Sequence, residues 1–263
     1  MSDLLEKNPW NALRQFTNAR IALGRAGNSL PTAPLLAFNL SHAQARDAVH
    51  HPLDADVLHE QLRTHGFTTL DVHSAAPDRE HYLRRPDLGR RLSDESREAL
   101  RQAMLEPPEV VFVIADGLSA FAASKQSIPL LNAVCSRLTD WTIGPVVVAR
   151  QGRVALGDEI GEILKTKLVV MLIGERPGLS SPDSLGIYLT YAPKVGCSDA
   201  QRNCISNVRP EGLNYDAAAH KLHYLLTHAR RLGLTGVGLK DDSDALLGHA
   251  EPQGAEIPAP PSD

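Results

Sequence analysis

Between residues 110 and 173 the chain sets down three apolar runs, VVFVIA (Val110 to Ala115), VVVA (Val146 to Ala149) and LVVMLI (Leu168 to Ile173). A strand with one wet face alternates apolar and polar residues, whereas an unbroken apolar run is a strand covered on both faces. Helical stretches lie between the runs, around Ile128 to Trp141 and Asp158 to Leu164. Strands alternating with helices of this length need crossover connections, so the pattern predicts a mostly parallel α/β sheet with helices on both faces. LGIYLTYA (Leu185 to Ala192) follows LVVMLI too closely for a helical crossover. It predicts an antiparallel addition at the sheet edge. A last helix, about Tyr215 to Leu232, carries Leu222, Leu225, Leu226, Ala229 and Leu232 on one face and is placed to close the sheet.

The first part of the chain reads differently. Residues 1–92 form a mainly helical region: a helix around Trp10 to Leu23, a loop holding Gly24, Gly27, Pro31 and Pro34, a helix from about Ser41, and a helix over Asp54 to His65. Leu58 and Leu62 lie one turn apart in the last of these, and Gly66 is placed to end it. YLRRPDLGRRL (Tyr82 to Leu92) reads first as a solvated basic loop and only second as a site. Ser93, with Asp94 and Glu95, starts a helix whose inner face is Ala99, Leu100, Ala103 and Met104. The α/β domain then spans 93–239, and the acidic, Pro-rich end over 240–263 lacks the apolar residues to stay folded, which predicts a disordered tail.

Composition narrows the function classes. With 263 residues, 43% of them hydrophobic but only 5% aromatic, the core is expected to be large and aliphatic. A net charge of -4 offers no basic footprint for nucleic acid. No apolar run approaches the ~20 residues of a membrane span, and no signal-peptide pattern opens the chain, so a cytoplasmic protein is expected. Three cysteines, Cys135, Cys197 and Cys204, suit a reducing compartment better than a disulfide framework.

In an open parallel sheet, ligands bind beyond the carboxyl ends of the strands. Three loops occupy such positions: Asp116-Gly117-Leu118-Ser119, Arg150-Gln151-Gly152-Arg153-Val154 and Gly174-Glu175-Arg176-Pro177-Gly178. Each combines glycine with groups able to make directional contacts. Any one of them reads as an ordinary turn; three together put a site on even terms with that reading. Dinucleotide and P-loop fingerprints are missing. Ser119 lies in DGLSA, outside a nucleophile-elbow pattern, and a base in His73 or His81 has no support. His220 and His223 are one turn apart on the last helix, beside His228, but a solvated or capping role outweighs metal binding there. Cys197 and Cys204 share a glycine-containing loop and read as two independent thiols. DVHSAA (Asp71 to Ala76) approaches the histidine motif of some cobalamin proteins, but it ends on Ala76 and lies outside the α/β region, at an expected strand end, so it reads as chance.

YLRRPDLGRRL, ADGLS, QGRVALGDEIGEILK, LIGERPGLSSPDSLGIYLTYAP and RNCISNVRPEG, in this order, resemble the small (light) subunit of ethanolamine ammonia-lyase over roughly Asn8 to Ala229. The resemblance implies an adenosylcobalamin-dependent enzyme that turns ethanolamine into acetaldehyde and ammonia. In that family a deoxyadenosyl radical abstracts hydrogen from the substrate, the amino group migrates and ammonia leaves. The chemistry is housed in the barrel of a large subunit, and the Rossmann-like small subunit helps enclose the corrinoid at the interface. It further implies cobalamin contacts on the valine of GRV, the glutamate of GERP and the cysteine of CISN, here Val154, Glu175 and Cys204. No catalytic residue and no metal ligand of this chain is implied. Some relatives carry a long N-terminal leader linked to bacterial microcompartments, whereas this chain begins almost at Asn8-Pro9-Trp10, which leaves encapsulation open. The competing reading is a free-standing α/β binding or regulatory protein for a small polar ligand, and the existence of a large partner discriminates between the two.

Overall fold

A computed structural model describes residues 5–6, 8–103 and 106–244. Met104 and the part of the expected tail from residue 245 onward lie outside the described residues. The chain forms α1 (Thr32–His50), α2 (Ala55–Thr64), β1 (Thr69–His73), α3 (Arg79–Arg84), α4 (Asp94–Gln102), β2 (Val110–Ala115) and α5 (Ala120–Cys135). It continues through β3 (Val146–Arg150), α6 (Leu156–Ile163), β4 (Leu168–Gly174), β5 (Leu185–Tyr191), β6 (Arg202–Val208) and α7 (Tyr215–Leu232). One six-stranded mixed sheet has the order β1-β3-β2-β4-β5-β6, parallel from β1 to β4 and antiparallel across β4, β5 and β6.

The continuous apolar runs are covered on both sides, as their pattern predicts. Val110, Phe112 and Ile114 face a cluster shared with α2, α5 and α7, while Val111, Val113 and Ala115 face one shared with α4 and α6. This is a mostly parallel α/β sheet between two helical layers. A buried ion pair ties the antiparallel end to α6: Arg202 Nη1 and Nη2 stand 2.5 and 2.7 Å from the two oxygens of Asp158.

Several expectations need correction. The helix expected over Trp10 to Leu23 is a short 3-10 turn, Pro9–Gln15, with no buried residue. With no core to pack against, its sequence lacks the tertiary support that short helices need. α1 begins at Thr32 rather than near Ser41, because Pro34 falls in the first turn, where a missing N–H is harmless. α5 begins at Ala120 and ends at Cys135, well before Trp141; Ser119 caps it by accepting from the Ala122 amide at 3.2 Å, and Pro129 sits inside it. Leu232, expected on the inner face of α7, is 50% exposed. β5 is antiparallel as expected but is not the edge, since β6 pairs outside it. DVHSAA was expected outside the α/β region, yet its first residues form β1, the opposite edge of the same sheet. The expected basic loop instead holds α3 and a 3-10 turn, with Tyr82 and Leu92 buried.

The sheet order also locates a crevice. From β2 the chain turns through α5 to β3 on one side, and from β4 it turns to β5 on the other. Opposed connections open a gap at the carboxyl ends of β2 and β4, where ligands of such sheets bind. The gap's floor demands glycine: Gly117 adopts φ +53°, and a Cβ there would stand 2.3 Å from the Gly174 carbonyl oxygen. Asp116, just before it, is 1% exposed and joins three loops. Its Oδ2 and Oδ1 accept from the amides of Gln151 and Gly152, each at 3.0 Å, and Arg79 of α3 stands 3.3 Å from Oδ2. Removing one partner of a buried ion pair leaves the other charge uncompensated, at about 3–5 kcal/mol. We therefore expect Asp116→Ala to lower unfolding free energy by about that amount, read from the urea midpoint; a loss below about 1 kcal/mol contradicts the role assigned to it.

Candidate functional site

A cleft of about 410 Å³ lies at this crevice, lined by Gly117 after β2, Val154 after β3, Glu175 after β4, Tyr188 of β5 and Ser206 of β6. Tyr82 closes one wall. Two of the strand-end loop residues named by the resemblance, Val154 and Glu175, thus line one cleft although they follow different strands. Val154 is half-buried and packs against the α4/α6 core cluster, which leaves an apolar flank toward the cleft.

Glu175 leaves β4 at the point where the β4–β5 pairing ends. Its amide donates to the Ser184 carbonyl at 3.0 Å. Its carboxylate accepts from the Ser184 hydroxyl, from the Ser206 hydroxyl at 2.5 Å and from the Asn207 amide at 3.2 Å. A carboxylate offers about four acceptor positions. Three are occupied by these donors, and no Lys, Arg or His among the described residues forms an ion pair with it. Arg176, its neighbour, does not pair with it either.

Cys204 does not sit in a loop with Cys197, as the sequence suggested. It lies on β6, directly opposite Tyr188 of β5, while Cys197 precedes the strand, and all three cysteines are free thiols. Asn203, Ser206 and Asn207 break up the apolar residues of RNCISNV and hide this strand from a hydrophobicity reading. Cys204 is exposed beside Tyr188 and does not itself line the cleft with Val154. Partial desolvation by its neighbours pushes the thiol above its ordinary range, and the Glu175 carboxylate adds to the effect against the Tyr188 hydroxyl. Burial likewise pushes the Tyr188 and Tyr82 phenols up, so both remain protonated donors near neutral pH.

Tyr188 and Ser206 were missed by the sequence reading, while Arg153 stood in one of its three strand-end loops and Tyr82 in the basic run, neither of them singled out. The Tyr82 hydroxyl donates to the Gly152 carbonyl at 2.9 Å, and the ring is fully buried. A large aromatic residue inside a run of arginines was the available signal. The remaining candidates are committed elsewhere. Ser119 donates to the Pro182 carbonyl at 2.9 Å while capping α5. On α7, His220 lies 3.3 Å from the Ser243 carbonyl oxygen, and His228 Nδ1 lies 2.8 Å from that of Tyr224. Among the described residues, no group of His, Cys, Asp and Glu is arranged to hold a metal ion.

Comparison with known proteins gives this geometry a family. Residues 7–240 match the model of the family described as Ethanolamine ammonia-lyase light chain (EutC). The chain is 56% identical over 246 residues to the ethanolamine ammonia-lyase small subunit of Ralstonia nicotianae, covering 92% of this chain and 91% of that one. It is 56% identical over 242 residues to the subunit of the same name from Pseudomonas fluorescens strain Pf0-1, covering 90% and 88%. That from Azotobacter vinelandii is 56% identical over 243 residues, covering 90% of each. A match that spans α1 to α7, and with it every strand bordering the cleft, shows that this chain belongs to the ethanolamine ammonia-lyase light-chain family, whose members are subunits of a carbon–nitrogen lyase.

Proposed function

We propose that this chain is the non-catalytic, cobalamin-holding subunit of an adenosylcobalamin-dependent ethanolamine ammonia-lyase, and that a large barrel subunit completes its site. The observation that carries the reading is the convergence of Val154 and Glu175 on one cleft at the switch point of the sheet. That same placement supports describing the fold as Rossmann-like. A volume of about 410 Å³ is that of a site for a drug-sized ligand, and a corrinoid is much larger. Only an edge of the cofactor fits, so the rest requires a second protein surface.

The residues present suit such an edge. Corrin rims carry amide side arms, and Glu175 keeps an acceptor position for an amide N–H after serving its three internal donors. Val154 supplies apolar contact, and Cys204, exposed beside Tyr188, a small polarizable one. Bound adenosylcobalamin supplies the radical chemistry that converts ethanolamine to acetaldehyde and ammonia. This chain's part is to grip the rim of the cofactor, fix its orientation and keep water from that edge. The N-terminal arm supports a protein partner: Leu36 is 61% and Leu40 59% exposed on α1, with Phe16 at 57% before it. Apolar surface clustered in this way marks a contact face. No described helix is long and apolar enough to cross a membrane. Our reading is a cytoplasmic complex, either free or inside a bacterial microcompartment.

The reading makes an omission experiment decisive. Ethanolamine deamination requires this chain, the large subunit and adenosylcobalamin together, and turnover by this chain and cofactor without the partner contradicts the assignment. Glu175 gives a finer test in the assembled complex. A hydrogen bond to a charged group is worth about 1.5–3 kcal/mol, so Glu175→Ala is expected to weaken cobalamin binding roughly ten- to a hundredfold, with a smaller loss for Glu175→Gln. Turnover at saturating cofactor falls much less than affinity. Because Glu175 also orders Ser184, Ser206 and Asn207, thermal unfolding is followed alongside, and the glutamine variant, which keeps the shape, carries the comparison. Unchanged dissociation constants for both variants remove Glu175 from the site.

A further inference from the structure

Three buried or half-buried arginines each have a carboxylate partner: Arg79 meets Asp116, Arg97 meets Glu159 and Arg202 meets Asp158. Arg153 differs. It is half-buried at the lip of the cleft, its Nε is buried with no hydrogen-bond partner, and no carboxylate among the described residues pairs with its guanidinium.

The side chain is nevertheless held in place. Its guanidinium carbon lies 4.3 Å from the centre of the Tyr82 ring, whose hydroxyl is fixed on the Gly152 carbonyl. Its backbone amide donates to the Gly89 carbonyl at 2.8 Å. Gly89 is pressed so closely against the arginine stem that a Cβ there would stand 2.9 Å from Arg153 Cγ. Packing therefore orders the cation, and no hydrogen bond or ion pair among the described residues commits its guanidinium donors.

We infer that Arg153 is a second polar binding residue of the cleft, donating to an acceptor oxygen on the rim of the cofactor. The inference rests on the cobalamin reading above. A guanidinium only donates, so its partner is an amide carbonyl or a phosphodiester oxygen, and cobalamin carries both. Glu175, lining the same cleft, only accepts when ionised. Together they present both halves of the complement to a primary amide, with a glycine floor at Gly117 and Gly174 that admits close approach.

The test uses the assembled complex of both subunits and equilibrium dialysis of cyanocobalamin, whose binding is read without turnover. R153Q is expected to weaken binding roughly ten- to a hundredfold, and R153K less, since lysine keeps the charge but loses the planar fork. Dicyanocobinamide, which lacks the nucleotide phosphodiester, separates the two acceptors. A deficit that persists with it assigns the carbonyl, and one that disappears assigns the phosphodiester; either supports the inference. Thermal unfolding of both variants is measured in parallel, and R153K, which keeps a cation over Tyr82, carries the test where R153Q does not fold. Wild-type affinity in the folded arginine variants, with Glu175→Gln still weakened, overturns the role of Arg153 and leaves the cobalamin reading intact. A wild-type complex that binds no cyanocobalamin overturns both.

Discussion

The Asp116 carboxylate lies at the carboxyl end of β2, out of water, and accepts from the backbone amides of Gln151 and Gly152 while Arg79 reaches it from α3. Burial pushes this carboxyl above its ordinary value, opposed by the Arg79 charge and the two amides. Burying a charge is tolerable only with such compensation. The compensation has a geometric consequence. The loop after β3 is pinned by its own backbone amides, so the residues that follow, Arg153 and Val154, have little freedom in where they face. Arg79 extends the same constraint to α3 by also donating to the Gly117 and Val49 carbonyls at 2.9 and 2.8 Å. Tyr82, three residues along that helix, then meets Gly152 and carries Arg153 on its ring.

The opposite wall is organised by Glu175. Its carboxylate gathers Ser184 before β5, Ser206 on β6 and the following Asn207, which fixes the ends of both antiparallel strands and with them Tyr188 and Cys204. One acidic residue thus has an internal structural role and still presents an acceptor to the cleft. The two walls meet where Gly117 and Gly174 are in backbone contact, with the Leu118 amide donating to the Gly174 carbonyl at 2.9 Å. A site built this way is shallow, rigid and polar at both rims. In the function proposed above, such a surface grips an edge and leaves the remainder of a large ligand to a partner.

Legibility followed burial. VVFVIA and LVVMLI announce doubly covered strands because every residue is inside, and α7 was readable because its leucines repeat at helical spacing. β1 and β6 were not, since an edge strand such as RNCISNV mixes buried and exposed residues and looks like a loop. The strand-end rule found the loops of Val154 and Glu175 from topology alone, and the family motifs then singled out the residues. Cys204 came only from the motif, and its loop assignment failed with the missed strand. Tyr82 and Arg153 lay inside stretches the sequence had marked, but nothing in it singled them out. Their roles depend on a contact between α3 and the loop after β3, a tertiary fact that a charged local sequence conceals.

The account's central claim is that one cobalamin is shared between this cleft and a partner surface. The most direct measurement is an experimental map of the two-subunit complex with cyanocobalamin bound. The account predicts corrin density with one edge against Val154 and Glu175 and the rest enclosed by the large subunit. Density held wholly within the partner, with the cleft between Gly117 and Gly174 facing solvent, contradicts it.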